Sequence, residues 1–242
     1  MMLADLGLYA LLSVHISSGA VALLSGLVAM ASRKSGNGTH RSAGRWFVYS
    51  MSLMAASAAV LTFLDSDRLS LGAAVWTLYL VHTSRSAAIE RSGGSSNWHV
   101  LVGMLAAGLF LHGGTAALSL PDGEFQGTQS TGFFIFGAVA TLALLFDLRL
   151  VWRKKLSARQ RVTRPLWRMA TAYFLAATSL LLGQQDGVFP FMAGSPILLA
   201  PSLLTLAFMI FWIVRVRFAR NWMGHPAPRS ILPTNANRED IS

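Results

Sequence analysis

The sequence contains no cysteine. Disulfides, iron–sulfur clusters and thiolate metal sites are therefore excluded. Charge is also scarce: 12% of residues are charged, against about 25% in an average soluble domain. Carboxylates are the scarcest, with 10 Asp and Glu against 20 Lys and Arg, for a net charge of +10. His-x3-His, His-Glu-x2-His, Gly-x-Ser-x-Gly and a phosphate-binding glycine loop are all missing, so no common hydrolase or nucleotide signature is present. In a soluble protein the surplus of positive charge would point to nucleic acid. Here the basic residues stand between apolar runs, so membrane topology accounts for them and no nucleic-acid partner is expected.

What the chain has is hydrocarbon: 53% of its residues are hydrophobic, with a mean hydropathy of +0.50. Seven apolar segments stand out, at about 6–31, 44–64, 69–90, 97–120, 131–152, 166–184 and 196–217. The third is the weakest, interrupted by Thr77, His82 and Arg85. Each is long enough to cross a ~30 Å hydrocarbon core as a helix. The expected fold is all-α, a seven-transmembrane-helix bundle over residues 1–220 with a polar, Pro-rich and poorly ordered tail over 221–242. The opening MMLADLGLYALL lacks a basic flank and reads as a retained first helix. All of the 20 Lys and Arg except Arg68 fall on one side of this alternation. The positive-inside rule then places the N-terminus outside and the C-terminus in the cytoplasm. The chain is expected to be a multi-pass protein of the bacterial inner membrane, with the bilayer and its anionic headgroups as partners.

A set of short motifs runs through these segments: His15-x3-Gly19, His40-Arg41-x2-Gly44-Arg45, Asp147-Leu148-Arg149, Trp167-Arg168-Met169 and Gly183-Gln184-Gln185. In order and spacing they resemble a bacterial family of predicted seven-helix membrane proteins of unknown function, over most of the chain from about Leu6 to Arg217. Pro165 departs from that pattern, which leads one to expect a histidine just before the Leu-Trp-Arg-Met run. The resemblance implies the seven-helix fold and supplies no reaction.

Two constellations are candidate sites. On the expected topology His15 and His112 both lie about 12–13 Å below the outer surface, by helical rise. Gly19 and Gly108 stand one turn away from them. Two imidazoles at one depth, each beside a glycine, have the pattern of axial ligands to a b-type haem, with His15 and His112 on the iron. That would make the chain a small redox protein exchanging electrons with a quinone or other small molecule near Gln184 and Gln185. A histidine in hydrocarbon also persists by hydrogen bonding alone. A proton-coupled transporter and a non-enzymatic structural or assembly factor therefore stand as alternatives, and the sequence leaves open whether the chain is an enzyme.

The second group is His40, Arg41, His82, Arg85, His99, Asp147, Arg149, Trp167 and Arg168, toward the cytoplasmic face. Asp147 is a carboxylate inside an apolar run and needs a cation, with Arg85, Arg149 and Arg168 as candidates. An ion-pair knot, an anion or headgroup pocket, and a proton step between Asp147 and His82 are the three readings. The tryptophans at 76, 98, 152, 167, 212 and 222 are expected mostly at the interfaces.

Overall fold

The weakest of the seven segments forms the hub of the fold. The computed structural model describes residues 2–32, 38–89, 96–153, 157, 159–188 and 190–218. Its helices are α1 (Met2–Ala31), α2 (Thr39–Leu64), α3 (Arg68–Ile89), α4 (Asn97–Leu118), α5 (Ser130–Arg153), α6 (Gln160–Thr178), the short α7 (Gln185–Val188) and α8 (Ala200–Phe218). A π turn, Ser179–Gly183, extends α6, and a 3-10 turn, Pro196–Leu199, leads into α8. Six of the seven long helices are apolar and long enough to cross a membrane; α3 is the exception. It packs on α2, α4 and α6 and touches α5. Trp76, Tyr79, Leu80, Val81, Thr83 and Ser84 on it are all buried.

A helix wrapped by other helices has no need of a lipid-facing surface, so polar side chains are tolerated if each finds a partner. Thr77 Oγ1 donates to the Ala73 carbonyl at 2.8 Å, and Ser84 Oγ donates across to the Pro165 carbonyl of α6 at 3.1 Å. Trp76 is a core residue, edge-on to Phe110 at 6.0 Å and to Phe136 at 6.2 Å, and not an interfacial anchor; its buried Nε1–H finds no hydrogen-bond partner among the described residues. Trp98 and Trp152, at the ends of α4 and α5, are exposed as expected.

Around the hub stand three pairs, α1 on α2, α4 on α5, and α6 on α8. The α4–α5 pair is close because glycine meets phenylalanine. A Cβ on Gly113 would lie 2.3 Å from the Phe133 ring, and one on Gly114 would lie 2.9 Å from the Phe134 ring. Small residues on one helix admit the bulk of its neighbour where no hydrophobic effect drives helices together.

The α4–α5 connection carries an element the sequence reading lacked, an antiparallel hairpin of β1 (Glu124–Phe125) and β2 (Thr128–Gln129). Its turn residues Gln126 and Gly127 both have positive φ, 54° and 72°, as a two-residue turn matched to strand twist requires. Gln126 reaches across to the α2–α3 loop. Its Nε2 donates to the Ser66 carbonyl, and its Oε1 accepts from the Arg68 N–H at 2.9 Å. These two loops therefore share one end of the bundle, opposite the Arg-rich ends of α5, α6 and α8.

The helix limits match the apolar segments closely at most ends. The largest difference is α6, which begins at Gln160 and runs through Pro165. Pro165 is the sixth residue of α6, so it lacks the N–H that would reach the Arg161 carbonyl and its ring crowds that carbonyl. Arg161 and Arg164 thereby move from a loop onto a helix. The expected tail, 221–242, lies outside the described residues, as do Arg33, Lys34, Arg91, Lys154, Lys155 and Arg220.

Candidate functional site

Asp147 is fully buried, six residues before the end of α5 and so about 9 Å inside the basic end of the bundle. Both of its oxygens are doubly engaged. Oδ1 accepts from Arg164 Nη2 at 2.7 Å and from Arg168 Nη2 at 2.5 Å. Oδ2 accepts from Tyr79 Oη at 2.6 Å and from Arg168 Nη1 at 3.1 Å. Arg168 thus grips the carboxylate with both arms, the fork geometry that suits guanidinium and not lysine. Its cationic plane lies 5.2 Å from the Tyr79 ring and 5.0 Å from the Trp167 ring. Three helices, α3, α5 and α6, meet at this one carboxylate.

Of the three cations expected to pair with Asp147, only Arg168 does. Arg149 follows two residues later, about 200° around the helix, and is exposed on the opposite face. Arg85 is exposed and stacks over Tyr49, 5.6 Å from the ring centre. Arg164 was missed, although its place one turn before Arg168 was visible in the sequence. It lay beyond the expected helix start. Tyr79 offered no spacing signal.

The remaining inner residues scatter. His82 is exposed, with Nε2 3.3 Å from Ser52 Oγ on α2, while the hydrogen bonds to Asp147 come from Tyr79, Arg164 and Arg168. His99 is the N3 residue of α4 and its Nδ1 accepts from the Ser96 N–H at 3.2 Å, a capping role. Arg41 is exposed. His40 is half-buried and its Nδ1 lies 2.9 Å from the Ala29 carbonyl. A carbonyl can only accept, so Nδ1 carries the proton and caps the last turn of α1.

The outer histidines are not brought together. His15 turns onto α2, with Nδ1 3.0 Å from the Met54 carbonyl and 3.3 Å from Ser57 Oγ. Gly19, beside it, is filled by the Met54 thioether at 3.4 Å. His112 is exposed on α4, a helix that packs on α3 and α5 while α1 packs on α2 and α6. A haem held by both residues does not fit this arrangement. Gly108 has nothing within 4 Å of an added Cβ. Gln184 is exposed, and Gln185 Oε1 accepts from the Gly194 N–H at 2.9 Å, fastening the α7–α8 loop.

Among the described residues a concave site lies at the basic end. Between α1, α2, α6 and α8 lies a cavity of about 330 Å³, within the range of about 300–1,000 Å³ for small-molecule sites. Its walls are apolar, with Met30, Phe47, Met169, Tyr173 and Phe208 among them, and His40 and Arg161 on its polar side. The Tyr173 and Phe47 rings close against Gly26, where a Cβ would sit 2.6 Å from the former and 3.0 Å from the latter. Gly44 also lines the cavity, and a Cβ there would meet nothing within 4 Å. The sequence had placed His40 and Gly44 in a motif but gave no hint that α6 and α8 would face them.

No family model, curated protein or solved structure matches the chain. Among the described residues no group of three or more His, Cys, Asp or Glu side chains forms a metal site.

Proposed function

We propose that the chain is a seven-span membrane protein that binds a small, largely apolar molecule at the basic end of its bundle. The cavity between α1, α2, α6 and α8 carries this reading. Asp147 belongs to the scaffold: all four hydrogen bonds it accepts are internal, which suits a lock better than a proton carrier. That lock holds α6, one wall of the cavity, to the hub.

The function test is retention of a ligand. Protein extracted in mild detergent should carry a bound small molecule by native mass spectrometry. Gly44→Phe, which directs a ring into open space, should release it without changing the elution volume. Equal retention by both proteins would remove the cavity from the functional account.

For topology, α3 is taken as the seventh span, its polar residues shielded by α2, α4 and α6, in line with the family that the sequence motifs resemble. The positive-inside rule then puts the cavity at the cytoplasmic face. A reporter fused after Phe218 should be active in the cytoplasm, and one inserted after Gly123 should be active outside. A reporter after Phe218 that is active outside would invert the assignment.

A further inference from the structure

The cavity has a polarity gradient that matches one kind of molecule. Arg161 and His40 are the second residues of α6 and α2, so both stand at the edge of the apolar layer. Tyr173 lies twelve residues further along α6, about 18 Å deeper by helical rise. Phe47 lies seven residues beyond His40 on α2, about 10 Å deeper. The site is therefore charged at the membrane edge and apolar within, and it is closed at the bottom where Tyr173 and Phe47 meet Gly26. Among the described residues no carboxylate lines it.

From this we infer that the ligand is a single-chain amphiphile with an anionic headgroup, its chain in the cavity and its headgroup at Arg161 and His40. The inference rests on the cavity being the functional site. Three features select the class. A guanidinium stays charged at any physiological pH and recognises carboxylate or phosphate oxygens. His40 donates its Nδ1–H to the Ala29 carbonyl, so its Nε2 lone pair accepts from a headgroup O–H such as that of a monoprotonated phosphate. A volume of about 330 Å³ is at the small end of ligand sites, enough for one hydrocarbon chain but not for the paired chains of a phospholipid.

The test uses the full-length protein in detergent with three photoreactive probes that share one diazirine-bearing alkyl chain: a carboxylate, a phosphate monoester and an alcohol. Crosslinks are mapped by mass spectrometry. The anionic probes should label the cavity segments of α6 and α8 about tenfold more than the alcohol, as expected from one charge-assisted hydrogen bond. Arg161→Gln should reduce them to the level of the alcohol. Labelling by only one of the two anions would support the inference and identify the headgroup. Equal labelling by the alcohol would overturn the anionic class and leave the cavity standing. If Gly44→Phe and Met169→Trp, each with wild-type melting behaviour, label as strongly as the wild type with every probe, the cavity reading fails as well.

Discussion

Asp147→Asn should be the most damaging single substitution in the chain. Removing the carboxylate charge leaves Arg164 and Arg168, both buried, facing each other across one amide. An amide can accept from one arm of the Arg168 fork but cannot balance either cation. Breaking a buried ion pair typically costs about 3–5 kcal/mol, and here two pairs depend on one acid. The melting temperature in detergent should fall steeply, and Arg168→Gln should cause a similar fall. Arg85→Ala and Arg149→Ala, which remove exposed cations, should change stability by no more than about 0.5 kcal/mol. Replacing the whole cluster with apolar residues, Asp147→Leu with Arg164→Leu and Arg168→Leu, should recover much of the loss, because the destabilising species is the unpaired charge. An Asp147→Asn protein that melts like the wild type would show that the cluster holds nothing together.

Gly113→Leu should come second. The Phe133 ring lies where the new side chain must begin, 2.3 Å from an added Cβ, and Phe133 is itself fully buried. Neither side can give way, so α4 and α5 must separate. Overpacking by a few methylenes typically costs about 1–3 kcal/mol, and a displaced helix pair also loses the Gly114–Phe134 contact. Gly108→Leu, on the same helix with open space around it, is the matched control and should be nearly neutral. Protease sensitivity of the α4–α5 connection would report the difference. Equal behaviour of the two variants would mean that the close approach contributes nothing.

These contrasts show where the sequence was legible. Apolar runs are long, and their periodicity survives any detail of packing, so the seven long helices could be read with ends displaced by only a few residues in most cases. Asp147 was legible too, since a lone carboxylate in hydrocarbon must be paired. Its partners were less so, because Pro165 masked the true start of α6 and hid Arg164 in an apparent loop. The outer histidines failed for a different reason. Depth along a helix can be estimated from residue count, but which helices are neighbours cannot, and α1 and α4 do not stand side by side. The cavity was out of reach for the same cause: its walls come from segments as distant as Gly26 and Val216, and only the packed bundle brings them together.

The clasp between Gln126 and the α2–α3 loop bears on how such a cavity is filled. It ties α2, α3, α4 and α5 into one block at the end of the bundle remote from the basic residues, and the Asp147 cluster ties α3, α5 and α6 near the other. Fastened at both levels, that block acts as a stator. The part with freedom to yield is α8, which is joined to the block chiefly through α6, whereas α1 is packed along α2. Entry from the bilayer would then be a sideways displacement of an outer helix, with the core of the bundle as the stationary frame.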